Sequence, residues 1–326
     1  MARSWVDAIR AAGAVPASHL PEASLGRRDL EDVAGAELVE EAVLAAHPVA
    51  PRPPPAVVSF LDGIELWQVT HYDGVCPIVR AYVAAATRRR GPDRRLVTTS
   101  QAAREMLVTH AAALRPGVRA ALATSGLELV EIPAEEATQP GRALEAARRA
   151  VDAARVAIEK AVAERSAAAL GRDEWLVVDG LLSESGALAA HPRTLGVVKS
   201  HGAQYFEGEA LERALTLPAA HRTSVFRPRG RARHEVYSWY LRLWPWEGND
   251  LLFGLIRVEA RAHAATLAGA AAASGWLVGE RAPVATPDPR WDRLLYPIHD
   301  VETYLRSRAP RDLVPTAGSR LPQTGT

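Results

Sequence analysis

The sequence predicts an α/β protein, and three observations carry that prediction. Strand-like apolar runs crowd residues 56–86, a long helical pattern occupies 141–169, and further buried-strand patterns begin at Trp175-Leu-Val-Val178. The elements follow in order. Residues 1–50 read as a helical, acidic extension in which Arg3, Arg10, Arg27 and Arg28 face eight carboxylates. Pro48–Pro55 cannot continue a helix and forms the clearest boundary in the chain. Ala56–Leu61 is a strand closed by Asp62-Gly63; Leu66–His71 and Val75–Ala86 are two more, turning at Tyr72-Asp73-Gly74, so the three suggest an antiparallel meander.

Residues 100–122 read as helix and Leu127–Ile132 as a strand. In 141–169, Leu144, Ala147, Val151, Ala154, Ile158 and Val162 recur at helical spacing, and Gly171 ends the run. Trp175–Val178 is a continuous apolar strand that again runs into Asp-Gly, at Asp179-Gly180, and Leu195–Val198 is a further strand closed by Lys199. Three strands are expected around Val225, Tyr237–Leu243 and Leu251–Val258, then an alanine-rich helix at 260–275 and a short element at Leu294–Arg306. Residues 307–326 read as a disordered tail.

Composition bounds the function. The chain has 326 residues, 48% hydrophobic and 24% charged, enough for a sizeable core. One cysteine, Cys76, excludes an intrachain disulfide and a cysteine-built zinc cage. Met1–Leu20 lacks the apolar core of a signal peptide, and the longest uncharged stretch is too short for a membrane helix, so a soluble cytoplasmic protein is expected. There is no P-loop, no GxGxxG after a strand, no HExxH and no Cys-x-x-Cys. The net charge of +1 hides segregation: between Arg80 and Arg119 nine arginines stand against Asp93 and Glu105, and between Ala219 and Arg242 six stand against Glu235. All basic residues but Lys160 and Lys199 are arginine, whose fork suits phosphate; Arg88, Arg89 and Arg90 in a connecting stretch could also be a solvated loop, and the phosphate reading ranks first only because the stretch lies beside a candidate nuclease site.

Continuous apolar runs belong to strands covered on both faces. If those before Asp62 and Asp179 lie side by side and parallel, with helix 141–169 as the crossover, their carboxylates meet at one sheet end, where open α/β sheets bind ligands. Paired carboxylates need a cation or a shared proton, and hard divalent ions with oxygen ligands answer that need. Either Asp-Gly alone is equally an ordinary turn signal.

Phe60-Leu-Asp-Gly63, Leu176-Val-Val-Asp-Gly180 and Leu195-Gly-Val-Val-Lys-Ser200 with Tyr205 downstream resemble the NurA family of DNA-end-processing nucleases. So do Arg222-Thr223, Trp239–Leu243, Ile256-Arg-Val-Glu259 and Tyr296-Pro-Ile-His299, and the resemblance runs in one order over 55–306. It implies an RNase H-like fold akin to the Argonaute nuclease domain, a mixed sheet flanked by helices. It further implies Mn²⁺-dependent (Mg²⁺ possible) degradation of DNA, a HerA-like hexameric ATPase as partner, and a homodimer, for which 1–50 could be an interface arm. Asp62 and Asp179 match the family's metal-binding aspartates. A glutamate from the preceding helix is also implied. Glu145, Glu159 and Glu164 are on offer; Glu159, on the margin of the apolar face and in an Arg155-x-x-x-Glu spacing similar to the family's, is the first choice and Glu164 the second. His299 matches a late histidine that could ligate metal or move a proton. Lys199 could contact the scissile phosphate or be a surface lysine. Tyr205 and Arg222 could line the DNA path or simply pack. Trp239, Trp244 and Trp246 could stack bases, though core packing suits them better, and Glu65 could add a ligand or occupy a turn. A catalytically silent DNA-binding or ATPase-docking adaptor of the same fold is the alternative, and an RNase H-like enzyme cutting RNA or a hybrid is a third possibility.

Overall fold

The computed structural model describes residues 34–230, 232–283 and 290–313. Twelve strands form one mixed sheet: β1 (Ala36–Leu38), β2 (Ala46–Pro48), β3 (Val57–Asp73), β4 (Cys76–Arg90), β5 (Leu96–Thr109), β6 (Glu128–Glu131), β7 (Glu174–Asp179), β8 (Thr194–Val198), β9 (His221–Thr223), β10 (Phe226–Pro228), β11 (Val236–Arg242) and β12 (Leu255–Arg261). The order is β1-β10-β11-β12-β8-β7-β3-β4-β5-β6, with β9 on β11 and β2 on β9. The α/β expectation holds at this level. The chain divides into two compact units, the first comprising the chain up to Phe60, Arg90–Arg95 and Ala169–His299, the second Leu61–Arg89, Leu96–Ala168 and the chain from Asp300.

In the first unit β12 pairs antiparallel with both β11 and β8, and β8 pairs parallel with β7, Asp179 facing Val197. β8 is buried along its whole length, as its unbroken apolar run requires of a central strand. Helices α3 (Gly186–Ala190), α4 (Gly208–Leu215) and α5 (Ala264–Gly279) belong to this unit. One of its cores gathers Leu44, Phe206, Leu217, Phe226, Tyr240 and Leu255.

In the second unit, besides α1 (Pro116–Ala123), the 29-residue helix α2 (Pro140–Ala168) lays Ala143, Ala147, Val151 and Ala154 on Val79, Ala81 and Val83 of β4 and Met106 and Val108 of β5. The i, i+4 spacing of small residues lets the helix approach the sheet closely, and each fully buried valine contributes roughly 1.5–3 kcal/mol. Its bounds fall within a residue of the helix the periodicity predicts. α6 (Tyr296–Arg308) spans the chain's return from the first unit to the second.

Three expectations need correction. Residues 1–33 lie outside the described residues, but 34–50 are not helical: Ala36–Leu38 pairs with β10 and Ala46–Pro48 with β9, so sheet pairing overrides the helix-forming composition. The helix expected at 100–122 is β5 up to Thr109, then a short 3-10 turn at Ala111–Ala113, with α-helix only from Pro116. Gln101–Glu105 favours helix locally, but Val97, Thr98, Thr99, Val108 and Thr109 are β-branched, burial alternates along the strand, and Met106–Thr109 pairs parallel with β6. Finally, Ala56–Leu61 and Leu66–His71 are one strand, β3, with Asp62-Gly63 inside it rather than at a turn.

Candidate functional site

In the second unit, Asp62 lies within β3, 9% exposed, and its Oδ1 accepts the Gly63 N–H at 2.8 Å. Gly63 is a glycine because α2 arrives there with Glu159: a Cβ on Gly63 would stand 2.5 Å from the Glu159 Cγ and 2.6 Å from its Cδ. The glutamate that the sequence ranks first is thus packed against the residue following Asp62. Glu164, one to two turns on, is instead a half-buried partner of Lys160 at 4.0 Å.

Arg155 organises the carboxylates on this face. Its Nη1 donates to Glu159 Oε1 at 2.5 Å, its Nη2 to Asp152 Oδ1 at 2.7 Å, and its Nε stands 3.4 Å from Glu65 Oε2. Burial alone would lower the Arg155 pKa, but Glu159 and Asp152 outweigh it and hold the guanidinium firmly charged. Glu65 sits in β3, not in a turn, and burial pushes its carboxyl above the ordinary value, an effect Arg155 only partly offsets.

In the first unit, Asp179 is the last residue of β7, and its Oδ2 lies 2.7 Å from Lys199 Nζ, a side chain only 11% exposed. Lys199 is therefore no surface lysine: it neutralises the aspartate. The turn after Asp179 is held tightly. Gly180 has φ +134°, donates its N–H to Val197 O, and leaves its carbonyl 2.6 Å from where a Cβ on Gly196 would stand. Glu259 Oε2 accepts the N–H groups of Leu182 and Ser183 at 2.8 and 3.1 Å, while Oε1 takes Arg257 Nη1 at 2.7 Å. Both charges are buried, Glu259 at 1% and Arg257 at 4% exposure, and such a pair persists only where each group is fully bonded. The role of this pair is not predicted by the sequence. The sequence signal is Arg257 and Glu259 at i and i+2, on one face of a strand whose other charge, Arg261, is its last residue.

His299 is half-buried in the first turn of α6. Tyr205 packs on Phe226 at 5.6 Å between ring centroids, under the Arg257 guanidinium at 5.0 Å. Arg222 is 5% exposed, with both terminal nitrogens on Glu40 at 2.6 and 2.8 Å. Burial would raise Glu40, but the Arg222 bond and the Val225 N–H outweigh it and hold its carboxyl below the usual range. Arg88 pairs with Asp300 and also donates to Leu96 O at 2.8 Å, and Arg90 grips Glu280 with both terminal nitrogens; Arg89 is exposed. Trp239 is fully buried and donates its indole N–H to Ser274 Oγ, so it is core, and Trp244 lies under Arg281 at 3.9 Å. Tyr205, Arg222, Arg88 and Arg90 thus have internal partners.

One further grouping could hold a metal ion. Among the described residues, Glu40, Glu41 and His47 bring ligand atoms within 4.8 Å of one another. His47 Nε2 is 2.7 Å from Glu41 Oε1, but Glu40 is already engaged by Arg222 and the Val225 N–H. Among the described residues no helix is long and apolar enough to cross a membrane. No protein-family model matches the chain, and neither does any curated protein.

Proposed function

We propose that the protein is a metal-dependent DNA nuclease of the NurA-like, RNase H-like kind, taking oxygen ligands from Asp62, Glu159 and Asp179. The observation that carries this reading is the packing of Glu159 against Gly63, beside Asp62. The resemblance asks for a glutamate from the helix preceding Asp179, and of the three that α2 offers, it is Glu159 that packs on Gly63, the residue after Asp62. The donors are carboxylate oxygens, which suits a hard divalent ion such as Mn²⁺ or Mg²⁺. Such an ion, when bound, supplies Lewis-acid activation of a phosphodiester and of water. Lys199 balances charge at Asp179 and would contact the scissile phosphate as a point charge, and His299 is the candidate proton carrier. Linear DNA is the substrate this reading implies, with a HerA-like hexameric ATPase and a second copy of the chain as partners, in the cytoplasm.

A second reading rests on a specific observation. Arg155 and Lys199 already neutralise Glu159 and Asp179, as expected of a catalytically silent, DNA-binding or ATPase-docking adaptor that holds no metal. Incubating the full chain with end-labelled linear duplex and Mn²⁺ separates the two. The nuclease reading expects degradation that EDTA stops and that Asp62→Asn and Asp179→Asn each reduce at least a hundredfold. Intact duplex after prolonged incubation would favour the adaptor.

A further inference from the structure

The first unit holds a half-open cavity of about 810 Å³ that plays no part in the site above. Its size falls within the roughly 300–1,000 Å³ of small-molecule sites. It lies at the starts of β7 and β8, with Trp175 and Leu195 in its lining, whereas Asp179 is at the far end of β7. Four residues of strand put these two ends about 13 Å apart.

One wall is the Pro53–Pro55 stretch and the other is α5. The two are clamped at Gly275, whose carbonyl accepts the Arg52 N–H at 3.3 Å and where a Cβ would stand 2.5 Å from Ala50 O. The proline run that marks a boundary in the sequence thus also walls this cavity. Its aromatic lining includes Trp175 and Trp276, packed edge to face at 6.3 Å between ring centroids.

Arg52, Arg193 and Arg261 line the same space, against Asp173 as the single acidic lining residue. Among the described residues none of these three guanidiniums has a carboxylate partner, and Arg193 Nε is buried without a hydrogen bond. Elsewhere in the chain Arg88, Arg90, Arg155, Arg222 and Arg257 are each paired with an acid. The positive charge is felt locally: beyond the effect of its burial, His191 is pushed further below its ordinary value by both Arg193 and Arg261. Three arginine forks exceed what the one lining carboxylate needs, and they suit the several oxygens of a phosphate. Indole faces and edges offer a planar apolar ring its complement.

We propose that this cavity binds an organic anion of the nucleoside-phosphate class, its base against Trp175 and Trp276 and its phosphate on Arg52, Arg193 and Arg261. The ligand is either a free nucleotide or the terminal nucleotide of a DNA strand, which present the same chemistry. The site is independent of the metal reading, so it is tested in EDTA, where a failure of one leaves the other standing.

Intrinsic tryptophan fluorescence of the full chain is titrated with dAMP, with deoxyadenosine and with a 5′-phosphorylated tetranucleotide. Saturable quenching by dAMP identifies the free nucleotide, and quenching by the tetranucleotide alone identifies the strand end; either outcome supports the site, with deoxyadenosine at least tenfold weaker. Gly269→Leu fills the cavity from α5, where an added Cβ meets nothing within 4 Å, so the variant should keep its Tm and lose at least tenfold in affinity. Arg193→Ala with Arg261→Ala should lose as much. The proposal is overturned by no quenching at millimolar dAMP and tetranucleotide, by equal binding of deoxyadenosine, or by unchanged affinity in folded Gly269→Leu.

Discussion

Asp62-Gly63 and Asp179-Gly180 are the same dipeptide after the same kind of apolar run, yet the backbone uses the two glycines for different reasons. Gly180 supplies a left-handed φ of +134° at the end of β7, a conformation that side chains resist at a cost of roughly 1–3 kcal/mol. Gly63 continues β3 and supplies room, because the Glu159 carboxylate occupies the space a Cβ would take. The companions differ as well. Asp179 has a cation, Lys199, whereas Asp62 has a second carboxylate nearby that is itself tethered to Arg155. One setting is a strand end fixed by a buried charge pair; the other is a strand interior fixed by a helix. A local motif therefore reports a glycine's presence and not its purpose.

The largest effect expected on this comparison comes from breaking the anchor of the Asp179 turn. Glu259→Gln leaves Arg257 buried without its carboxylate and should cost about 3–5 kcal/mol, read by urea denaturation. If the loss is under 1 kcal/mol, Glu259 does not hold the turn.

Next in size is the Asp62 side. Gly63→Ala should cost about 1–3 kcal/mol through overpacking on Glu159, and Glu159→Ala should relieve most of it. Because the two residues touch, the pair should be strongly non-additive in a double-mutant cycle, whereas Gly180→Ala combined with Glu159→Ala should be additive. Additivity in the first pair would remove the helix from the account of Gly63.

The remaining effects are pH slopes of opposite sign. His201 donates its Nε2–H to Leu255 O and is held at about 3, mainly by desolvation, with Arg293, Arg257 and Arg242 adding to it. Its folded value lies below the unfolded 6.5, so stability is whole above pH 6.5 and is lost as the pH falls towards 3. Glu65 is raised above 4.5 by burial, so it destabilises at neutral pH, and that penalty fades as the pH falls through its folded value towards 4.5. Glu65→Gln should therefore stabilise slightly at pH 7 with the gain shrinking in acid, and His201→Gln should flatten the acid loss. Denaturation at pH 7, 6, 5 and 4 checks both signs.

How much of this was legible depends on whether the determinant is local. Helix α2 could be read because Leu144, Ala147, Val151 and Ala154 repeat within the segment itself, and β7 and β8 because their apolar runs are unbroken. β5 was not, because Gln101–Glu105 favours helix and only the pairing of Met106–Thr109 with β6 decides otherwise. The choice between Glu159 and Glu164 turned on which turn of α2 meets Gly63, a contact across 96 positions of chain (159 minus 63) that no spacing rule supplies. The link from Glu259 to Leu182 and Ser183 is non-local for the same reason.

The metal assignment is open to one direct measurement: the free Mn²⁺ electron paramagnetic resonance signal, titrated with the full chain and with Asp62→Asn, Asp179→Asn and Glu41→Gln. The account predicts that the wild-type chain and Glu41→Gln deplete the signal equally, and that each aspartate variant leaves it largely free. Depletion by both aspartate variants at wild-type strength, or its loss in Glu41→Gln alone, would contradict it.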